Sequence, residues 1–408
     1  MMRSRPRRIL DTDRTHARHL SFGLRLGLSF CALLFALPIG CAPSTKNAGA
    51  LKAALAAAPQ STPVQSVPSA IRGQIQALGS VPYDGFTLPI VCPDGRHFAV
   101  QLGDNIDFRI RLAQTGAAVP RARVATYRIE PSGLLRLSES DDGILLGRGA
   151  SFAGCVCENP RPSGARAIGI LLWGKSEPEW IVDDGRTNAF ASLAPDATLA
   201  WSSRDAAGGA WSLCIRVEGN EDDIIIPAPD GASWIFPVAV NRSCVCAVLL
   251  RDGVASFACI DPSDPKAASM PPALFRISDR VDARIAFQMF SPQQGLDAVS
   301  PSGQILFFDP TSRGVRSWDP KTGAFAQLKG RSLAVSFTDP THFAALLGGE
   351  VRVQSMADGT DVGTKLLDSV AVPRRLPSQS GAQGVLLVAP EGRTLRLAAL
   401  RAVEPVKP

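Results

Sequence analysis

Short apolar runs separated by turns dominate the chain from about residue 83 to residue 400. In the clearest stretch, residues 296–328, turns rich in proline and glycine separate four such runs: 296–300, 304–309, 315–319 and 324–328. Each run has five or six residues, the usual length of a β-strand, and connections this short allow only antiparallel neighbours. The stretch therefore predicts a four-stranded antiparallel meander.

One run in this meander, Ile305-Leu306-Phe307-Phe308, is apolar at every position. Both faces of such a strand must be covered, which predicts a sheet stacked between two similar sheets, as in a β-propeller. The steps from Pro301 to Pro390 and from Cys155 to Cys244 are both 89 residues. If each step spans two units, the repeat is about 44 to 45 residues long, close to that of four-stranded blades.

The predicted fold class is therefore all-β, a β-propeller of about seven four-stranded antiparallel blades over residues 81–402, followed by a tail at 403–408. The ring is expected to close by pairing residues 384–400 with a strand from residues 86–91. The propeller is expected to be a monomer.

The first 40 residues have the parts of an export signal. Seven arginines precede an uncharged segment, 26–40, that is too short for a transmembrane helix. The signal carries a charge of +5 of the chain's +6, so the remainder is close to neutral. A near-neutral chain with scattered basic residues argues against a nucleic-acid partner.

Residues Leu37-Pro38-Ile39-Gly40-Cys41 resemble the bacterial lipobox, with proline at a position where leucine is usual. The resemblance implies a lipid on Cys41, which would anchor the protein to a membrane at the outer-membrane periplasmic face or the cell surface. The alternative is ordinary cleavage after Ala42, which would give a secreted or soluble periplasmic protein. Residues 41–80, rich in alanine, proline and serine, are predicted to be a flexible linker.

Residues 92–100, beginning Cys92-Pro93-Asp94-Gly95, resemble the repeat signature of bacterial WD40-like and TolB-like propellers. Residues 337–359 resemble a nearly complete repeat of the same kind. The resemblance implies a β-propeller, which together with the lipobox-like residues before Cys41 suggests a bacterial envelope lipoprotein. It implies no particular chemistry, because propellers carry many unrelated functions.

Seven cysteines follow Cys41. If Asp252-Gly253 forms a two-residue hairpin turn, facing residues have numbers that sum to 505, so Cys246 faces Cys259 in a non-hydrogen-bonded pair. The Cα atoms of such a pair lie about 4.5 Å apart, which suits a disulfide. The alternative is a metal site formed by the two Cys-x-Cys pairs. No metal site is expected, because zinc sites usually have two or more residues between their cysteines and histidine is scarce in this chain.

No catalytic residue and no cofactor site is predicted. The acidic pairs, such as Asp141-Asp142, fit solvated turns, and no nucleophile elbow or phosphate-binding loop occurs. His97 and His342 occupy equivalent turn positions, which indicates repeat architecture.

Two other segments are candidate binding surfaces. A basic cluster, with arginines alternating at strand period, is a candidate anion patch: Arg109, Arg111, Arg121 and Arg123. The long interruption at residues 260–285 is a candidate interaction loop, with apolar residues Met270, Leu274 and Phe275.

These observations favour a non-catalytic, membrane-anchored propeller that binds an envelope protein or a cell-wall partner. Two other function classes stay open: a propeller hydrolase or lyase acting on glycans or peptides, and a binder of a small ligand or quinone-type cofactor. Acidic and basic side chains clustered at one channel mouth would favour the enzyme, and a deep aromatic-lined pocket would favour the ligand binder.

Overall fold

The computed structural model describes residues 73–103 except 86 and 88, and residues 121–264 except 221 and 253. Beyond residue 264 it describes separate segments: 275–276, 304–309, 314–319, 322, 324–327, 335–339, 342–347, 350–355, 361–366, 372–376 and 384–402. Every regular element in these residues is a β-strand, so none of them forms a helix that could cross a membrane. The all-β prediction is confirmed.

Twenty-seven strands are described. The first thirteen are β1 (Gly73–Pro82), β2 (Ile90–Val91), β3 (His97–Gly103), β4 (Ala122–Glu130), β5 (Gly133–Glu139), β6 (Leu145–Ala150), β7 (Gly154–Pro160), β8 (Arg166–Leu172), β9 (Glu179–Val182), β10 (Thr187–Leu193), β11 (Leu199–Asp205), β12 (Gly208–Arg216) and β13 (Ile224–Ile226). The next seven are β14 (Ala232–Asn241), β15 (Cys244–Arg251), β16 (Val254–Ile260), β17 (Phe275–Arg276), β18 (Ile305–Asp309), β19 (Gly314–Trp318) and β20 (Phe325–Gln327). The last seven are β21 (Val335–Asp339), β22 (His342–Leu347), β23 (Glu350–Ser355), β24 (Asp361–Leu366), β25 (Val372–Leu376), β26 (Gly384–Glu391) and β27 (Thr394–Ala402).

These strands form antiparallel meanders that follow chain order: β2–β5, β6–β9, β10–β13, β14–β17, β18–β20, β21–β24, and β25–β27 together with β1. Single parallel pairs join β10 to β6 and to β8, so that two of the meanders share one eight-stranded sheet. A β-propeller is organised in this way: four-stranded meanders follow one another along the chain, and the first and last strands of the domain lie in one sheet. The number of blades stays a prediction, because residues 277–303 lie outside the described part of the chain.

Three of the four strands predicted in residues 296–328 are present as β18, β19 and β20. The fourth predicted run, 296–300, lies outside the described residues. The register of β18 with β19 pairs Phe308 with Val315 across the turn.

The predicted ring closure is correct for one of its two partners and wrong for the other. The sheet at residues 384–402 closes with β1, and Ile90–Val91 instead begins the next sheet. Residues 73–80 therefore belong to a strand and not to the predicted linker. Leu78 and Val81 of β1 are buried beside Leu395 and Leu397 of β27, and this burial is what stabilises the strand.

A register shift next to Gly79, whose φ is 126°, interrupts the alternation of β1. In a regular strand, side chains alternate between the two faces of the sheet, and the bulge at Leu78 breaks this alternation. The sequence pattern of this segment therefore does not predict a strand.

The first strands of successive meanders contact one another: β21 contacts β25, then β25 contacts β2, β2 contacts β6, β6 contacts β10, and β10 contacts β14. We call these strands the inner layer. Apolar side chains of neighbouring sheets pack together behind it, as where Ala200 and Leu213 share a cluster with Trp234 and Ala247. Burial between sheets explains why a strand such as β15 is apolar on both faces.

The Pro-Asp-x turns before several strands share one conformation. The third residue has a positive φ in each: 67° at Gly95, 70° at Gly231 and 66° at Ala197. The aspartate fixes the turn, since a carboxylate oxygen of Asp196 accepts a hydrogen bond from the backbone N–H of Thr198. Alanine at residue 197 thus adopts a conformation that glycine adopts more easily.

Candidate functional site

The hairpin of β15 and β16 has the predicted register. Arg251 faces Val254, and Cys246 faces Cys259. Asp252 has a φ of 50°, as a type I′ turn requires at its first central position. The Cα atoms of Cys246 and Cys259 lie 4.2 Å apart, and the two sulfur atoms form a disulfide.

Replacing both Cys246 and Cys259 by alanine is expected to lower the free energy of unfolding by about 3 kcal/mol, because the bond closes a short loop in the unfolded chain. Urea unfolding with and without reductant measures this. Reductant should destabilise the natural chain by a similar amount and leave the double variant unchanged. Non-reducing peptide mapping that finds both thiols open to alkylation would contradict the pairing.

In the described part of the candidate anion patch, Arg123 is already paired with carboxylates. Arg123 forms ion pairs with Glu139 and, at 3.4 Å, with Asp142. Arg121 is exposed just before β4. These ion pairs weaken the case for an anion site on β4, while Arg109 and Arg111 lie outside the described residues.

Three other predicted site residues lie outside the described part of the chain: Cys41, Met270 and Leu274. Phe275, from the candidate interaction loop, lies in β17 and pairs with Phe257 of β16. Phe275 and Arg276 therefore form a short edge strand of the β14–β17 sheet.

The acidic pairs lie at turns, as their sequence context predicts, and several of these carboxylates bind nearby groups. Asp183 pairs with Arg161, and Asp184 accepts a hydrogen bond from the side-chain amide of Asn188. Asp223 forms a two-point pair with Arg216, with N···O distances of 2.6 and 2.8 Å. These pairings give the carboxylates a structural role, so their presence does not indicate catalysis.

Aromatic rings and guanidinium groups form a continuous chain of contacts across three neighbouring meanders, which we call the aromatic–arginine ladder. Its members in order are Arg148, Phe236, Phe190, Trp211 and Arg204. The guanidinium carbons at the two ends lie 5.1 and 4.4 Å from the adjacent ring centroids, and the two phenylalanine centroids are 4.7 Å apart. Such contacts are attractive because the ring face is electronegative.

Both phenylalanines of the ladder have strained backbones. The φ of Phe190 is 58° and that of Phe236 is 51°, in a region that bulky residues rarely occupy. Each lies at a register shift in a first strand, β10 or β14, where the bulge turns the ring towards the neighbouring sheet. Strain of this kind is concentrated at functional sites, so it marks the ladder as a candidate.

The side of the ladder near Arg204 carries excess positive charge. Burial first, and then the charge of Arg166, lower the pKa of Arg204. Its Nε atom is buried and has no hydrogen-bond partner among the described residues. Arg166 is balanced by Glu158 at 2.9 Å, and both side chains are almost fully buried. An anionic group at Arg204 would be favoured electrostatically.

A second cluster joins a thiol, a carboxylate and an imidazole at the turn between β2 and β3. Candidate ligand atoms of Cys92, Asp94 and His97 all lie within 4.8 Å of one another. His97 Nδ1 lies 2.5 Å from Asp94 Oδ2, and the ring stacks on Trp173 of the next sheet at 5.6 Å between centroids. Burial is the main cause of the strongly raised pKa of Cys92, so the thiol is protonated.

The sequence-based prediction did not include the ladder or this cluster. For the ladder, the available signal was a charged residue inside an otherwise uncharged strand, as Arg148 in β6. For the second, the signal was the spacing Cys-x-Asp-x-x-His, which a search for zinc-type cysteine pairs does not detect. His97 and His342 do occupy equivalent positions, since they begin β3 and β22, each the second strand of its sheet.

No family model and no curated protein matches this chain. Among solved structures, TolB from Acinetobacter baumannii aligns with 82% of this chain and 65% of its own, at 12% identity and a TM-score of 0.36. A prolyl endopeptidase aligns with 92% of this chain and 60% of its own, at 11% identity and a TM-score of 0.45. An oligogalacturonate lyase in complex with manganese aligns with 85% and 97%, at 11% identity and a TM-score of 0.41.

This chain spans less than two thirds of the length of the first two structures. All three TM-scores lie below 0.5, so no activity, substrate or partner is taken from these proteins.

Proposed function

We propose that this protein is a β-propeller of the bacterial cell envelope, anchored through a lipid on Cys41, that binds an anionic protein or cell-wall partner without catalysis. The anchor and the location rest on the basic leader, the apolar segment and the lipobox-like residues before Cys41. The linker that follows would hold the propeller away from the membrane surface.

The observation that carries the binding proposal is the strained aromatic–arginine ladder. Two phenylalanines with positive φ occur on the adjacent strands β10 and β14, and their rings, together with that of Trp211, connect arginines from two meanders. Phe190 and Arg204 are each only partly buried, so a partner can contact this part of the ladder. Arginine and aromatic residues are enriched among the side chains that dominate binding energy at interfaces.

Two carboxylates beside ladder residues support binding over acid–base catalysis. Glu158 is held by Arg166 and by the backbone N–H of Ala191, and Asp205 lies 3.5 Å from Arg186. A general acid or base must exchange protons with a substrate, which these pairings hinder.

Crosslinking in intact cells, followed by purification of the full chain, tests the proposal. The natural chain should capture a specific envelope protein, or it should sediment with purified cell-wall sacculi. Arg204→Ala should weaken that binding about 30-fold, because truncating a central arginine at an interface costs about 2 kcal/mol.

Arg161→Ala is the matched control, because Arg161 is an exposed arginine that pairs with Asp183 and is not a member of the ladder. It should leave binding unchanged. The proposal fails if neither a protein nor sacculi bind, or if the Arg204 and control variants bind equally well while both remain folded.

A further inference from the structure

We propose that Cys92, Asp94 and His97 form a binding site for one divalent transition-metal ion, with Zn²⁺ as the ion that the three donors suit. The site is independent of the ladder and of the binding function proposed above. It lies at the turn between β2 and β3, where that turn meets the neighbouring β6–β9 sheet.

The donor set selects the class of metal. One sulfur, one imidazole nitrogen and one carboxylate oxygen are all ligands of Zn²⁺, whereas a thiolate disfavours Ca²⁺ and Mg²⁺. A thiolate and a carboxylate together neutralise a divalent cation, so the complex carries no net charge. A neutral complex suits a site whose thiol is fully buried.

Backbone hydrogen bonds hold the donors in place. Asp94 Oδ1 accepts hydrogen bonds from the N–H groups of Arg96 and His97, at 2.7 and 3.1 Å, which leaves Oδ2 directed to the imidazole. The sulfur of Cys92 accepts a weak hydrogen bond from the Asp94 N–H at 3.5 Å and lies 3.6 Å from the carbonyl oxygen of Ser151. Orienting bonds of this kind support metal ligands.

Metal binding requires one small rearrangement. Two ligands of a tetrahedral zinc site lie about 3.4 Å apart, so the Asp94–His97 pair must open by about 1 Å from its present 2.5 Å. The Cys92 thiol releases one proton as its sulfur binds the metal. With a neutral imidazole, the proton on Nδ1 moves through solvent to Nε2. The His97 side chain is 22% exposed, which gives the ion a path of entry and leaves space for a water as fourth ligand.

The chain contains an internal control. Residues 337–342 repeat the aspartate and histidine at the same spacing, as Asp339 and His342, but Phe337 replaces the cysteine. The aspartate–histidine pair therefore belongs to the repeat, and the thiol is the feature that is specific to residues 92–97. A metal should bind only where all three donors are present.

The test is titration of the metal-free full chain with Co²⁺ and then Zn²⁺, followed by absorption spectroscopy. The natural chain should bind one Co²⁺ with a sulfur-to-metal charge-transfer band, and Zn²⁺ should displace it. Cys92→Ser should abolish the band, with Cys92→Ala as the second variant should the first not fold. His97→Ala should weaken binding at least about tenfold, and His342→Ala should change neither the band nor the affinity.

The proposal is overturned if the natural chain binds no stoichiometric Co²⁺. It is also overturned if folded Cys92 variants keep the band, because the thiolate would then come from another cysteine. Equal losses in the His97 and His342 variants would likewise contradict a site at residues 92–97.

Discussion

Replacing Glu158 by alanine is expected to lower the free energy of unfolding by about 3–5 kcal/mol, the cost of removing one partner of a buried ion pair. Glu158 Oε2 lies 2.9 Å from Arg166 Nη1, and the side chains of the two residues are 2% and 6% exposed. Without the carboxylate, Arg166 keeps a buried charge with no counterion from Glu158.

Two further contacts increase this cost. Glu158 Oε1 accepts a hydrogen bond from the backbone N–H of Ala191 in β10, so this carboxylate links the β6–β9 and β10–β13 meanders. The charges of Arg166 and Arg204 already interact, since Arg166 contributes to the lowered pKa of Arg204. Loss of Glu158 leaves these two cations less screened from one another.

Chemical denaturation of the full chain measures the effect. Glu139→Ala is the matched control, because Glu139 pairs with Arg123 and Arg136 at the surface, where an ion pair contributes about 0–1 kcal/mol. The double variant Glu158→Leu with Arg166→Met should recover much of the loss, since an apolar pair needs no counterion. A Glu158→Ala chain as stable as the Glu139→Ala chain would show that the buried pair is not a structural link.

Local patterns were enough to predict the strands, the turns and one register. Short apolar runs and Pro-Asp-Gly turns are short-range signals, and the chain follows them in β18–β20 and at Gly95. The hairpin around Asp252 sets its own register, so the position of Cys246 opposite Cys259 followed from counting alone.

Neither β1, the strand that closes the ring, nor the ladder could be predicted in this way. β1 is defined by contacts with β27, more than 300 residues away in the chain, and its bulge at Gly79 hides the strand pattern. Phe190 and Phe236 meet because two bulges turn their backbones into an unusual conformation. Neither bulges nor pairings between sheets leave a regular mark on the sequence.

Burial between sheets leads to a second large expected effect. Trp234 lies in β14, is 1% exposed, and belongs to a core that contains Leu213 and Ile215 of β12 and Val245 of β15. Its Nε1 donates a hydrogen bond to the carbonyl oxygen of Pro227 at 3.3 Å. Trp234→Ala should lower the free energy of unfolding by about 3–5 kcal/mol, because the cavity would lie between two sheets that cannot close on it.

Two control variants separate the causes in the same denaturation experiment. Trp234→Phe keeps most of the ring volume but loses the bond to Pro227, so it should cost clearly less than Trp234→Ala, with about 1 kcal/mol from the bond. Leu135→Ala removes an apolar side chain that is 41% exposed, and should change stability by less than about 0.5 kcal/mol. If Trp234→Ala were as mild as Leu135→Ala, packing between the β10–β13 and β14–β17 sheets would not be what holds these sheets together.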